Sequence, residues 1–169
     1  MPVARTKMIG NSPIFHALNR GKASVALDLK DKQAWAQFLQ LLSTADVVSI
    51  HLVLSPRSRG LLAASDLALM KRGAILVNTS RGPIVDEAAL LDAVRAGRII
   101  AALDVFDREP LPPGHPLRSA PNTVMTPHLG YCVQETWDQF YPQSIENALA
   151  FLDGNPVRVT NPEALQKHN

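Results

Sequence analysis

The sequence predicts an α/β protein built on a doubly wound parallel sheet. Short, nearly continuous apolar runs alternate with helical patterns along its 169 residues, and residues typical of helix caps stand between them. Strands that are buried on both faces read as continuous apolar runs, and parallel strands need crossover connections, which are usually helices. Because such crossovers are right-handed, we expect a doubly wound sheet with both faces covered.

Five apolar runs are predicted to be the strands. Each is much shorter than the roughly 20 apolar residues that cross a membrane, so no transmembrane span is expected. In chain order the strands are "ASVALDL" (23–29), "ADVVSIHL" (45–52), "AILVNT" (74–79), "IIAALDVF" (99–106) and "TVMTPH" (123–128). A proline-rich loop, 107–122, precedes the last of them.

The first two helices are predicted from their caps and their apolar spacing. Asp31 can cap a helix whose apolar residues follow at i, i+3, i+4 and i+7. These residues are Trp35, Phe38, Leu39 and Leu42. A short helix over 65–70 has Ser65 as its predicted cap and Gly73 beyond its end.

Two further helices are predicted in the same way. Asp86 can cap "EAALLDAVRA", and Gly97 can end it. The last helix is expected within 134–152, where Pro142 favours a kink or a late start. One apolar stripe along this helix is predicted to pack: Trp137, Tyr141, Ile145, Leu149 and Leu152.

The composition argues against several kinds of partner. Hydrophobic residues make up 46% and charged residues 19%, and the net charge of +2 comes without a long basic run. Neither nucleic acid nor a membrane is therefore expected as a partner. Cys132 is the single cysteine, so no internal disulfide can form, which fits a cytoplasmic protein. His128 and Cys132 are four apart, but no further ligand clusters with them, so no metal site is predicted.

Polar side chains stand where the predicted strands end. They are Ser49, His51, Thr79, Ser80, Arg81, Asp104 and His128. In open parallel sheets, ligands bind outside the carboxyl ends of the strands. We therefore expect these side chains to converge on one crevice.

Three side chains in this region suit a small 2-oxo or 2-hydroxy acid. Arg81, followed by Gly82, offers a planar fork of donors that matches a carboxylate. Glu109 and His128 are 128 − 109 = 19 positions apart across a loop and a strand, so their side chains can meet. A carboxylate beside an imidazole stabilises its protonated form and fixes its orientation.

We expect Arg81 to hold the substrate carboxylate and His128 to exchange a proton with the C2 oxygen. The remaining requirement is a hydride carrier, and a doubly wound sheet commonly holds a dinucleotide.

From about Thr44 to Pro162 the chain resembles the D-isomer-specific 2-hydroxyacid dehydrogenases, which use NAD. The matching stretches are "TADVVSIHLVLSPRSRGLL", "LALMKRGAILVNTSRGPIVDEAALLDAV", "AALDVFDREPLPPGHPL" and "PNTVMTPHLG". The resemblance implies that Arg81, Glu109 and His128 are the substrate-binding and catalytic residues. It allows a homodimer without fixing the oligomeric state, and the sequence does not distinguish NAD from NADP.

The same resemblance implies which residues line the cofactor site. Those are Val53, Ser58, Thr79, Ser80, Arg81, Asp104, His128, Leu129, Gly130 and Tyr131, with Asp104 binding the nicotinamide amide. Two positions depart from the family pattern. The usual "H-x-P" is His51-Leu52-Val53, and Tyr131 stands where the family has a second glycine.

The 169 residues contain no G-x-G-x-x-G phosphate loop and no match to the family's separate substrate domain. The sequence therefore predicts a Rossmann-like NAD-binding domain without its first half over 44–162, followed by a tail at 163–169. Loss of that loop leaves two alternatives open, a truncated or fused dehydrogenase and a non-catalytic remnant that binds no cofactor.

The first 43 residues resemble a different family, the class III CoA-transferases. That resemblance covers about residues 10–48, where "NRGKASVALDLK" matches a segment that borders the CoA site in that family. It implies that residues 27–30 touch CoA. A CoA-transferase is therefore a third alternative, although the nucleophilic aspartate of that family would lie far beyond this stretch.

Overall fold

The computed structural model of the protein describes residues 20–163, which contain one four-stranded parallel sheet in the order β1-β2-β3-β4. The predicted α/β class is confirmed. The strands are β1 (Val47–Ile50), β2 (Ile75–Asn78), β3 (Ile100–Leu103) and β4 (Thr123–Met125). The helices are α1 (Lys32–Thr44), α2 (Ala64–Leu69), α3 (Glu87–Arg95) and α4 (Gln134–Leu152), with 3-10 turns at Gly82–Ile84 and Pro116–Ser119.

One face of the sheet carries the core. The strands cross the sheet in chain order, so right-handed crossovers place their helices on the same face. Alternate strand residues, including Ile50, Leu76 and Leu103, are buried in one cluster with Leu67 of α2 and Val94 of α3. The carboxyl ends of all four strands therefore lie at the same edge of the sheet, and the predicted site is at this edge.

The opposite face of the sheet is uncovered in residues 20–163, so the expected burial of both faces is wrong for this part of the chain. Val47 is 55% exposed, Ile100 is 37% exposed and Val124 is 64% exposed. An apolar run shows that a strand favours burial on both faces, but the residues that cover it come from elsewhere in a protein.

The predicted first strand, 23–29, is also wrong. These residues form no strand, and Val25 is 46% exposed. A strand exists only through hydrogen bonds to a neighbour, and β1 pairs with β2 alone among the described residues. The side-chain pattern of 23–29 does not show whether a neighbouring strand is present to pair with it.

Most of the predicted helix ends are confirmed. The Asp31 carboxylate accepts from the Ala34 N–H at 2.8 Å, and the Asp86 carboxylate accepts from the Ala89 N–H at 3.0 Å. Gly73 and Gly97 both adopt positive φ, at 79° and 61°, just after the element that each ends.

The cap of α2 differs from the prediction. Ala63, not Ser65, is the N-cap residue, and the Asp66 carboxylate accepts from the Ala63 N–H at 2.9 Å. A carboxylate at the third helical position can reach back to the cap, so α2 needs no hydroxyl at its start.

Helix α4 has the predicted limits, and Pro142 lies inside it without delaying its start. The predicted packing of its apolar stripe is wrong. Tyr141 is 63% exposed, Ile145 is 59% exposed and Leu149 is 57% exposed, and no residue of α4 is buried. Helical spacing identifies an apolar face but does not supply the surface that covers it.

None of the helices within residues 20–163 is both long and apolar enough to span a membrane.

Candidate active site

The site is centred on Glu109 and His128, whose side chains meet as the sequence predicts. The Nδ1 atom of His128 lies 2.6 Å from Oε2 of Glu109, and the other carboxylate oxygen accepts from the Phe106 N–H at 2.9 Å. Burial opposes ionisation of Glu109, but the hydrogen bonds from His128 and from the Phe106 N–H outweigh it. Together with the charge of Arg81, they hold the pKa of Glu109 below its usual value.

An ionised carboxylate only accepts hydrogen bonds, so the Nδ1 atom of His128 must carry a proton. The Nε2 atom is then left to exchange a proton with a ligand. The His128 side chain is 39% exposed, so this nitrogen can be reached from solvent. A cavity of about 560 Å³ borders both Glu109 and His128.

Arg81 follows β2 and lies near enough to lower the pKa of Glu109 through its charge. One guanidinium nitrogen donates to the Ser80 carbonyl at 2.6 Å, and Arg81 forms no salt bridge within residues 20–163. The remaining donors of the fork are therefore uncommitted in this part of the chain. The structure thus places Arg81 at the same edge of the sheet as Glu109 and His128, where it lines a different cavity.

Asn78 holds the turn that carries Arg81, a role that the sequence analysis missed. It is 1% exposed at the end of β2, its Nδ2 donates to the Arg81 carbonyl at 3.0 Å, and its Oδ1 accepts from the Ser80 N–H at 3.1 Å. The Ser80 hydroxyl also donates to the Ile50 carbonyl at 2.7 Å. A polar residue that ends an apolar strand is the signal that could have identified Asn78.

Gly82 lets the turn after Arg81 lie against the end of β3. A Cβ atom on Gly82 would fall 2.1 Å from the carbonyl carbon of Phe106, so only glycine fits. This close approach joins the segment that carries Arg81 to the segment that leads into Glu109.

Asp104 is 5% exposed at the end of β3 and accepts three hydrogen bonds from the turn around His128. Its donors are the Thr126 hydroxyl at 2.5 Å, the Leu129 N–H at 2.8 Å and the Gly130 N–H at 2.8 Å. Burial raises the pKa of Asp104, but these three bonds and the nearby imidazole outweigh burial and lower the pKa overall.

The other predicted cofactor residues differ in their accessibility. Val53 is 87% exposed beside a cavity of about 550 Å³ that Ser80 and Arg81 also line. Thr79 is exposed. Ser58, in contrast, is buried, and its hydroxyl donates to the Val53 carbonyl at 2.7 Å, so it supports the loop that carries Val53.

Leu129 and Tyr131 are half exposed beside His128, and Gly130 is exposed between them. The Tyr131 ring lies edge-on to the His128 ring with centroids 6.5 Å apart, and it stands 6.5 Å from Trp137 of α4. An aromatic side chain therefore occupies the position where the family pattern has glycine.

Of the remaining polar residues at the strand ends, His51 lines the same cavity as Ser80 and Arg81. His51 is exposed, and its Nε2 lies 2.8 Å from the Ser49 hydroxyl. Within residues 20–163, no cluster of three or more His, Cys, Asp or Glu side chains could hold a metal ion.

The comparisons with known proteins identify a family for this chain. Residues 5–130 match the family described as D-isomer specific 2-hydroxyacid dehydrogenase, NAD binding domain. A glyoxylate reductase of Aeropyrum pernix is 41% identical over 162 residues, which make up 95% of this chain and 48% of that protein. A glyoxylate/hydroxypyruvate reductase B of Escherichia fergusonii is 45% identical over 116 residues, 68% of this chain and 36% of that protein.

A solved structure gives the same result for the fold. The D-isomer specific 2-hydroxyacid dehydrogenase from Xanthobacter autotrophicus Py2, in complex with NADPH and MES, is 42% identical with a TM-score of 0.55. The match covers 73% of this chain and 50% of that one. The chain spans about half, or less, of the length of these relatives. The family match includes residues 10–43, and the resemblance of this stretch to CoA-transferases stays a prediction.

Proposed function

The chain belongs to the D-isomer specific 2-hydroxyacid dehydrogenase family through its NAD-binding domain, and we propose that it forms the nicotinamide side of an oxidoreductase site. The reaction is the transfer of a hydride between NAD(H) and a 2-hydroxy or 2-oxo acid. The observation that carries this proposal is the contact of 2.6 Å between His128 and Glu109, at the same sheet edge as Arg81.

Each of the three side chains has a separate task. The guanidinium of Arg81 binds the substrate carboxylate through two parallel hydrogen bonds. The Nε2 atom of His128 gives a proton to the C2 oxygen during reduction and takes it back during oxidation. Glu109 keeps the Nδ1 proton in place and stabilises the positive charge on the ring when Nε2 is also protonated. The bound nicotinamide supplies or accepts the hydride at C2.

The residues that would hold the nicotinamide fit that group. Val53, Ser80 and Arg81 line an open cavity at the carboxyl edge of the sheet, where dinucleotides bind in such folds. Thr79 and the residues from His128 to Tyr131 are at least partly exposed along the same edge. The family is described by its NAD-binding domain, so we propose NAD as the cofactor. Because one solved relative contains NADPH, NADP is tested beside it.

The substrate is proposed to be small. The named relatives are reductases of glyoxylate and hydroxypyruvate, both short 2-oxo acids. A single arginine fork and one acid/base group are sufficient to bind and protonate such a molecule.

The second candidate function is a remnant domain that binds no cofactor. It applies to this chain alone, whose 169 residues contain no G-x-G-x-x-G loop and span half or less of the length of its relatives. Without backbone N–H groups around the pyrophosphate, affinity for a dinucleotide falls steeply. A CoA-transferase role rests only on the resemblance of residues 10–48, and residues 1–19 lie outside the described part of the chain.

Two proposals concern partners and location. The exposed apolar stripe on α4 supports a homodimer, because patches of this kind mark interaction surfaces. The single cysteine supports a cytoplasmic location.

Calorimetric titration of the chain with NADH and with NADPH tests the main proposal. Binding with a micromolar dissociation constant, followed by oxidation of NADH when glyoxylate or hydroxypyruvate is added, supports the dehydrogenase. No heat at millimolar nucleotide overturns it for this chain and favours the remnant. Parallel titration with CoA decides the third candidate.

A further inference from the structure

The structure points to a second task for Asp104: we propose that it is the positioning residue that sets which nitrogen of His128 faces the substrate. The inference rests on the proposed acid/base role of His128, but it concerns the conformation of the chain and can be tested without turnover.

The three hydrogen bonds of Asp104 bracket His128 in the sequence. Thr126 lies two residues before the histidine, and Leu129 and Gly130 are the two residues after it. Oδ1 accepts from Thr126 and Leu129, while Oδ2 accepts from Gly130. One carboxylate therefore binds the Thr126 side chain before the imidazole and two backbone N–H groups after it.

The backbone that Asp104 fixes is a strained one. His128 has φ of 59°, in the left-handed region that non-glycine residues rarely adopt because it is strained. Hydrogen bonds to a charged acceptor are among the strong ones, so three of them can hold such a conformation. Strain of this kind persists only where its surroundings determine it.

The conformation at His128 decides the direction of its side chain. With this backbone, Nδ1 meets the Glu109 carboxylate at 2.6 Å. If the turn relaxed to an ordinary φ, the imidazole would leave Glu109, and neither nitrogen would be selected as the one that keeps its proton. Asp104 thus acts on the proton transfer through the turn, not through contact with the substrate.

The space around Asp104 supports this role. A Cβ atom on Gly130 would lie 3.0 Å from Oδ2 of Asp104, so the turn is already in close contact with the carboxylate. Asp104 is itself anchored, because its N–H donates to the Asn78 carbonyl at 3.0 Å. The residue that holds the Arg81 turn and the residue that holds the His128 turn are therefore joined directly.

Nitrogen NMR of the imidazole rings in the full chain tests the proposal. At alkaline pH, where imidazole rings are neutral, the two ring nitrogens of wild-type His128 should give widely separated resonances with the proton on Nδ1. In Asp104→Asn the two resonances should move toward each other as the ring samples both tautomers. His128→Gln identifies the resonances among the five histidines of the sequence.

Two further variants keep the test decisive. Thr126→Val removes one of the three donors and should produce a smaller shift in the same direction, while Thr126→Ser keeps the hydroxyl and should restore the wild-type signals. These two variants carry the test if Asp104→Asn does not fold. The matched control is Asp66→Asn, because Asp66 is also buried and also accepts a backbone N–H, but at the start of α2.

Unchanged His128 tautomers in folded Asp104→Asn and in Thr126→Val would overturn the proposal. A shift of equal size in Asp66→Asn would overturn it too, since the effect would then be a general loss of stability. A chain that shows the expected shifts but does not bind NADH contradicts the dehydrogenase and leaves the positioning role of Asp104 established.

Discussion

His128 Nδ1 lies 2.6 Å from Oε2 of Glu109, although 19 positions separate the two residues in the sequence. The second oxygen of Glu109 is held by the Phe106 N–H, so the carboxylate has a fixed orientation toward the imidazole. This geometry leaves Nε2 as the nitrogen that faces a ligand. The contact therefore assigns different tasks to the two ring nitrogens before any ligand is bound.

The pKa of Glu109 predicts a pH dependence of stability. Burial raises this pKa, but the hydrogen bonds from His128 and Phe106 outweigh it, so the folded pKa lies below the unfolded one. A carboxyl group of this kind contributes stability that is fully present above its unfolded pKa of about 4.3. That contribution is lost as the pH falls through the folded pKa.

Urea unfolding of the wild type and of Glu109→Gln measures this effect. The variant should be less stable than the wild type at pH 7, and the difference in the free energy of unfolding should shrink at pH 3. A difference that is the same at both pH values would show that the charge of Glu109 does not contribute to folding.

Removal of the Asn78 side chain should destabilise the turn that carries Arg81. Asn78→Ala leaves the Ser80 N–H and the Arg81 carbonyl without their partner in a buried position, at a cost of about 1–3 kcal/mol. The free energy of unfolding in urea is the measurement. Asn155→Ala is the control, because Asn155 is exposed, and should change stability by no more than about 0.5 kcal/mol.

A methyl group at Gly82 should be poorly tolerated. Its Cβ atom would lie 2.1 Å from the Phe106 carbonyl carbon, and backbone cannot move aside as a side chain can. Gly82→Ala is expected to lower the free energy of unfolding by about 3 kcal/mol. Gly114→Ala provides the comparison, since nothing lies within 4 Å of a Cβ at Gly114. Equal stability of the two variants would show that the segments of Arg81 and Glu109 are not packed as described.

The fold was predictable where local chemistry determines structure. Asp31 and Asp86 cap their helices because their carboxylates reach an N–H within the same turn, which the sequence alone reveals. The strand at 23–29 and the packing of α4 were not predictable, because both depend on a partner surface that no local pattern encodes. An apolar run indicates that a strand favours burial, but it does not show which residues cover the strand.

The candidate site also contains residues that could be predicted and residues that could not. Arg81, Glu109 and His128 could be predicted because their chemistry is specific and because parallel strands bring their ends together. The roles of Asn78 and of the Asp104 carboxylate were missed because they act mostly on backbone groups, which the sequence pattern does not reveal. The resemblance to a family assigns Asp104 to a ligand, whereas its three hydrogen bonds in the structure all come from the chain itself.

Arg81→Lys should weaken the binding of a 2-oxo acid more than it weakens the binding of NADH. A lysine keeps the positive charge but loses the planar fork, and loss of one hydrogen bond to a carboxylate costs about 1.5–3 kcal/mol, or roughly a tenfold or larger rise in the dissociation constant. Titration of glyoxylate into the chain with oxidised NAD present, which cannot reduce it, measures this dissociation constant.

The control for this experiment is Arg98→Lys. The guanidinium of Arg98 donates to the carbonyls of Ala68 and Met70, before β3 and away from the candidate site. If both lysine variants lost glyoxylate binding equally, the anion would not be held by Arg81 in particular.

The exposed stripe of α4 predicts that the chain associates with itself. Tyr141, Ile145 and Leu149 are each more than half exposed on one side of the helix.

Ile145→Lys places a charge inside this stripe, where burial against another surface would cost several kcal/mol. Gln143→Lys adds the same charge at an exposed position on the opposite side of α4, outside the stripe. Sedimentation velocity over a range of concentrations should show association for the wild type and for Gln143→Lys, and a monomer for Ile145→Lys. A wild-type chain that stays monomeric at every concentration would contradict self-association through this stripe.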